Sequence, residues 1–491
     1  MPSLRSKLLV QFFVTNGATL AGFLLSIYIA RLLRPAEIGI FSMAAVLVAF
    51  SNVFRDFGVV SFIRSQKTLT TQSLRAAMGV MVCASWSFAM IVYLAGPFAA
   101  SYYKQQGVED VMKVLAAGFL FIPIGSIPQA VLARKLAIRV PTIVTAVSVL
   151  AYTISCISFA RLGFSYMSFA WANLINIIVT AATYSVLRPK GLPWLPSFKG
   201  WHEVISFGGG TIICNSIKSI DAAMPDLILG KLSGAHFVGL FSRGSSTVNI
   251  LNYIAAPTIN FATLPYLAQI HHRGTDVAPE VRRLVAYLTG VTWPALAVLA
   301  LVPRDVILVL YGPAWLECAS IIPALCIVAG IQFSFTILQP AFTALGRPYL
   351  AASPLLVSML AKATLAVVFF DGTMQTFATT FALGELVSIP AYVLLAWFAL
   401  KLSLADWVAA TWRSAAMVVA MLGALNFISP VISTVDHSVG RLLMVSAFSL
   451  VVWSAMLLIL RHPLAVELIR AKTILSSRFS QWKSVRPVSK W

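Results

Sequence analysis

One stretch of this 491-residue chain gathers the groups most able to do chemistry, namely Asn215, Lys218, Ser219, Asp221 and Asp226. On a helix turning 100° per residue these five fall within an arc of about 160°, which makes a single polar face. Two readings of that face stand. Lys218 meets an anion or a sugar in a cavity, or Asp221 neutralises it one turn on as an i,i+3 pair. Two further cations stand in apolar runs, Arg243 and Lys362, and Glu385 lies at a depth similar to Lys362 in the next run. Lys362 and Glu385 either form a structural pair or act separately. Arg243 either faces an anion or snorkels to the nearer surface. Asp221, Asp226 and Glu385, with Arg55 and Asp56 at the end of an earlier run, are candidates for a gate or for carrying a coupling ion, H+ or Na+. Asn16 and Asn215 are neutral candidates for lining a cavity. Asn173, Asn176 and Asn260 can bond a sugar or serve as interhelical glue.

Other chemistries find no support. The nearest approach to a phosphate-binding loop, Gly230-Lys231, is followed by Leu232, so nucleotide hydrolysis is not expected. The five Cys form no C-x-x-C pair, and His271-His272 has no further ligand type beside it, so neither a redox centre nor a metal site is expected. No cofactor is expected either.

The elements that must position these groups are membrane helices. Hydrophobic residues make up 59% of the chain and charged residues only 11%, against about 25% charged in soluble domains. An ionisable group at mid-bilayer costs about 2.5 kcal/mol or more, so the charges above are expected to face a cavity or a partner. Fourteen apolar runs are long enough to cross, and no loop between them has room for a catalytic domain. Of the 36 Lys and Arg, 25 fall on one side if the N-terminus is inside, which predicts both termini cytoplasmic. Most of the net charge of +20 is therefore topological. Nucleic acid is excluded as a partner, because no soluble basic module exists to hold it.

The chain also repeats itself. Setting Arg31–Asn52 against Lys231–Asn252 without a gap matches Leu32, Gly39, Phe41, Ser42, Val48 and Asn52 with the residues two hundred positions on. Six runs separate the copies, so the halves point the same way, related by an axis along the membrane normal. The expected architecture is all-α and polytopic. Residues 1–190 and 200–402 form two six-helix lobes, 403–460 add two helices, and 461–491 make a basic amphipathic tail suited to anionic inner-leaflet lipids.

The turn Ala30-Arg31-Leu32-Leu33-Arg34-Pro35-Ala36-Glu37-Ile38-Gly39, then Arg55-Asp56-Phe57-Gly58, Ile127-Pro128-Gln129-Ala130 before Arg134-Lys135, and Gly312-Pro313-Ala314-Trp315 carry a resemblance. Together they resemble the polysaccharide-transporter branch of the multidrug/oligosaccharidyl-lipid/polysaccharide superfamily, the Wzx-type flippases for lipid-linked oligosaccharides. The resemblance implies an alternating-access carrier in the bacterial inner membrane, not an enzyme. Its cargo would be an undecaprenyl-diphosphate-linked glycan, and a polysaccharide polymerase and glycosyltransferases would be its partners. Lys218, Arg243 and Lys362 would then meet the diphosphate. Rivals are an ion-coupled drug exporter or a lipid II exporter of the same superfamily and, from another class, a membrane-embedded glycan polymerase or ligase.

Overall fold

The computed structural model describes residues 4–55, 59–65, 69–135, 137–189, 191–193 and 195–467. Asp56 and the tail beyond residue 467 lie outside them, as do the side chains of Arg55, Asn215 and Asn260. The described chain is almost wholly helical and contains no strand. In a hydrocarbon solvent a spanning segment must satisfy its own backbone hydrogen bonds, and a helix does this within one segment.

The helices are α1 (Leu4–Leu32), α2 (Pro35–Arg55), α3 (Val59–Ser65), α4 (Thr71–Tyr103), α5 (Gln106–Arg134), α6 (Arg139–Arg161), α7 (Met167–Val186), α8 (Trp201–Leu232) and α9 (Ala235–Val248). They continue as α10 (Ile250–His272), α11 (Ala278–Leu301), α12 (Pro303–Leu310), α13 (Ile322–Phe335), α14 (Leu338–Ala344), α15 (Ala352–Phe369), α16 (Met374–Leu400), α17 (Leu404–Ser433) and α18 (Ser438–Ile459). Local chemistry sets several boundaries. Pro35 opens α2 at the position where its missing N–H costs nothing. Thr70 with Ser73, and Ser403 with Asp406, form reciprocal capping boxes that start α4 and α17.

Ten helical segments among the described residues are long and apolar enough to cross a membrane. The other four expected crossings fall on α1, α2, α8 and the α9–α10 pair. Those four hold most of the polar residues singled out above. The run expected to cross as one helix over Phe237–Leu264 is two, broken at Asn249.

The chain forms two compact units. The first comprises Met1–Thr258, Leu310–Ile321 and Leu355–Gly384, and the second Ile259–Val309, Ile322–Pro354 and Glu385–Trp491.

In the first unit α2 and α9 pack side by side with their backbones in near contact. A Cβ on Gly39 would lie 1.7 Å from the Ala235 carbonyl oxygen, and one on Gly239 would lie 1.9 Å from that of Pro35. Ser42 Oγ is 3.5 Å from Ser242 Oγ. Each residue meets its own counterpart two hundred positions on, which is the self-complementary contact of a twofold axis. Because the register holds along both helices, that axis runs along them. Segment Leu310–Ile321 packs onto the same unit. The Trp315 indole, fully buried, donates to the Ala30 carbonyl at 2.7 Å, and Arg31 Nε donates to the Leu310 carbonyl at 3.0 Å.

In the second unit α11 is the shared neighbour of α13, α17 and α18. Thr289 and Ser414 hydroxyls meet at 2.9 Å, and Trp453 Nε1 donates to the Gly290 carbonyl at 2.8 Å. His462, just past α18, lies so close that a Cβ on Gly290 would be 2.5 Å from its ring. Arg282 pairs with Asp406 and Arg283 with Glu467, both at 2.7 Å.

Candidate functional site

The charged candidates of the first unit, Lys218, Asp221, Asp226, Arg243 and Lys362, sit on α8, α9 and α15, and tertiary packing positions them. Two pairings were open from spacing, Lys218 with Asp221 and Lys362 with Glu385. The structure shows a pairing that spacing did not raise. Lys362 Nζ of α15 lies 3.3 Å from Asp221 Oδ1 of α8. The Lys362 side chain is 4% exposed and that of Asp221 15%. Such a pair has low net charge, which is how two ions can persist away from water. Gly384 of α16 makes room for it, since a Cβ there would fall 2.7 Å from the Lys362 backbone nitrogen. Lys218 is on the exposed side of α8. Asp226, one helical stretch further, is a neighbour of Tyr103 on α4.

Arg243 on α9 does not snorkel. Its Nε and Nη1 are buried and have no hydrogen-bond partner among the described residues. Around it stand Tyr311, Tyr152, Tyr253 and Cys318. Thr247, one turn on, donates to the Arg243 carbonyl at 2.9 Å and shares a hydrogen bond of 3.0 Å with the Tyr311 hydroxyl. Those groups fix the backbone and the aromatic wall but leave two guanidinium nitrogens unpartnered among the described residues. The counterpart of Arg243 in the repeat is Met43, fully buried and packed on Gly230. One copy of the same crossing is thus apolar and the other cationic. A buried guanidinium with unused donors is a ready partner for a phosphate or carboxylate.

In the second unit Glu385 is buried and accepts a hydrogen bond of 3.4 Å from Gln332 Nε2 of α13. Asn16 lies half-buried on α1. Asn176 of α7 donates to the Ser148 carbonyl of α6 at 3.2 Å, so it ties two helices together. Sequence reading missed Tyr152, Tyr311 and Gln332. Only their aromatic and amide character in or beside apolar runs could have drawn attention to them.

The folded chain is a multi-pass helical membrane protein. It aligns with the structure described as "Lipid II flippase MurJ, inward closed conformation" at a TM-score of 0.73, with 11% identity, over 92% of this chain and 99% of that one. It also aligns with a structure of a MOP superfamily transporter from Pyrococcus furiosus at a TM-score of 0.54, with 14% identity, over 84% of this chain and 95% of that one. At such identities the likeness establishes the fold alone.

The family model described as "Polysaccharide biosynthesis protein" matches residues 28–320, and the chain belongs to that family. Among curated relatives, "Teichuronic acid biosynthesis protein TuaB" of Bacillus subtilis (strain 168) is 21% identical over 62% of this chain and 63% of its own length. "Lipopolysaccharide biosynthesis protein WzxC" of Escherichia coli (strain K12) is 20% identical over 61% of each. The chain spans about six-tenths of the length of the curated relatives it matches. The resemblance drawn from the turn motifs is borne out at the level of family and fold.

Proposed function

We propose that this protein flips a lipid-linked oligosaccharide, carried on undecaprenyl diphosphate, from the cytoplasmic to the periplasmic leaflet of the inner membrane by alternating access. The observation that carries the reading is Arg243, a buried cation with Nε and Nη1 unpartnered among the described residues. A diphosphate would satisfy both and repay the cost of holding a guanidinium away from water. The family supports it, as do the printed names of the relatives, which concern teichuronic acid and lipopolysaccharide biosynthesis.

In this reading both termini are cytoplasmic and residues 1–190 and 200–402 are the rocking lobes. Lys218 of α8 supplies a further positive charge for the diphosphate, and the Lys362–Asp221 pair opens or closes with the transport cycle. Asp226 and Glu385 are the carboxylates available to couple H+ or Na+. Glycosyltransferases supply the cargo and a polymerase consumes it. The chain itself acts as a carrier and makes no covalent change to the glycan.

Deleting the protein from a strain without a redundant flippase should leave the lipid-linked glycan in the inner leaflet and strip the surface of that polysaccharide. Unchanged surface polysaccharide would overturn the proposal. The fold shared with MurJ over 92% of this chain favours lipid II as the second cargo to test. Rescue of a strain depleted of its lipid II flippase would transfer the assignment to it.

A further inference from the structure

Away from the charged cluster, α5 and α7 part to leave a pocket of about 220 Å³. Ile122 and Ser126, with Gln129 one turn on, form a stripe along α5, and Asn176 and Thr180 face it from α7. No Lys, Arg, Asp or Glu lines it. Gln129 stands five residues before Arg134, the end of α5, so at 1.5 Å per residue it is about 7.5 Å in from that end.

The hydrogen-bond inventory of the pocket is unfinished. Ser126 Oγ donates to the Ile122 carbonyl at 3.0 Å, Thr180 Oγ1 donates to Asn176 Oδ1 at 3.4 Å, and Asn176 Nδ2 donates to the Ser148 carbonyl at 3.2 Å. These bonds fix the three side chains but leave lone pairs on both hydroxyls and one N–H on Asn176 unused. Gln129 contributes a whole amide, two donors and an acceptor, and bonds to none of the described residues. Interhelical glue explains Asn176, which reaches α6, but not Gln129. Unused donor and acceptor capacity on amide and hydroxyl groups beside Phe121, Ile122 and Ile177 suits a ligand that is neutral, rich in hydroxyls and apolar on one face. A space of this size holds about seven waters at about 30 Å³ each, comparable with one sugar ring and too small for two.

We infer that this pocket is a neutral subsite for a single pyranose ring, with Gln129, Asn176 and Thr180 bonding its hydroxyls and the apolar residues covering its C–H face. The inference rests on the glycan-carrier reading and adds to it a place, separate from Arg243, where sugar identity is read.

The test is saturation-transfer NMR on the full chain in lipid nanodiscs, with glucose, galactose, mannose and N-acetylglucosamine as probes, and with glycerol and inorganic pyrophosphate as controls. At least one pyranose should receive saturation, and pyrophosphate should not displace it. Gln129→Leu and Thr180→Val should each weaken it about fivefold, the loss of one hydrogen bond. Gln129→Asn, which keeps the amide, should retain folding and part of the signal, and the melting temperature of each variant separates misfolding from lost binding. No pyranose signal, a signal indifferent to both substitutions in folded protein, or an equal signal from glycerol would overturn the subsite, the last result pointing to a lipid headgroup. If the deletion strain loses its polysaccharide while the pocket variants change nothing, the subsite fails and the carrier reading stands. If sugar binding depends on the pocket but the deletion strain keeps its polysaccharide, the carrier reading fails instead.

Discussion

Ser42 Oγ lies 3.5 Å from Ser242 Oγ, two hundred positions away in the chain and its equivalent in the sequence repeat. Around that contact Gly39 and Gly239 bring α2 and α9 so close that neither can carry a side chain without backbone movement. The repeat is therefore also a contact.

Gly39→Ala or Gly239→Ala should destabilise the protein, because the added methyl meets a carbonyl oxygen rather than a side chain that can move. Overpacking of this kind costs about 1–3 kcal/mol. Gly22→Ala on α1, where a Cβ would have no neighbour within 4 Å, should be neutral or mildly stabilising. Thermal melts of the three purified variants check the contrast.

Asp221→Leu and Lys362→Met should each lower stability, by roughly 3–5 kcal/mol if the remaining ion stays buried. The double variant should lose less than the sum. A double-mutant cycle showing coupling below about 0.5 kcal/mol would mean that the two ions act independently.

Arg243→Met puts into the second half what Met43 already is in the first. Removing a buried guanidinium with two unpartnered nitrogens should raise the melting temperature, while glycan export falls about tenfold or more with the loss of a charged hydrogen bond. Arg243→Lys should keep part of the export. Melting curves and surface polysaccharide measured on the same variants would separate the two effects.

His462 gives the protein an acid-sensitive joint. It is fully buried, and its Nδ1 accepts from the Leu464 backbone N–H. Burial first, then the nearby Arg413 charge, push its pKa down to about 4. The unfolded chain takes up the proton near the ordinary value of about 6.5, so this contribution to stability is complete above that pH and declines as pH falls toward 4. The loss is at most about 3 kcal/mol. Thermal midpoints should drop between about pH 6.5 and pH 4, and His462→Asn should flatten that slope.

Much of the fold was legible because apolar length is a direct consequence of bilayer thickness, and α2, α4 to α7 and α11 follow the expected runs closely. The repeat was legible because a backbone-to-backbone crossing demands Gly at 39 and at 239. The break at Asn249 was not, since neither Pro nor Gly stands within two residues of it. The Lys362–Asp221 pair joins residues 141 positions apart, and spacing speaks only for neighbours on one helix or on adjoining runs. The burial of Arg243 depends on Tyr311 and Cys318, delivered by the segment Leu310–Ile321, and no local pattern around residue 243 announces them.

The most direct measurement is leaflet accessibility of a lipid-linked oligosaccharide in proteoliposomes. Purified chain is reconstituted with the cargo, and an enzyme confined to the outside modifies the exposed glycan. The account predicts that the modified fraction climbs beyond the outer-leaflet share in liposomes containing the chain and stays near that share with Arg243→Met. Equal modification in protein-free liposomes and in those holding the intact chain, with and without an imposed H+ or Na+ gradient, would contradict it.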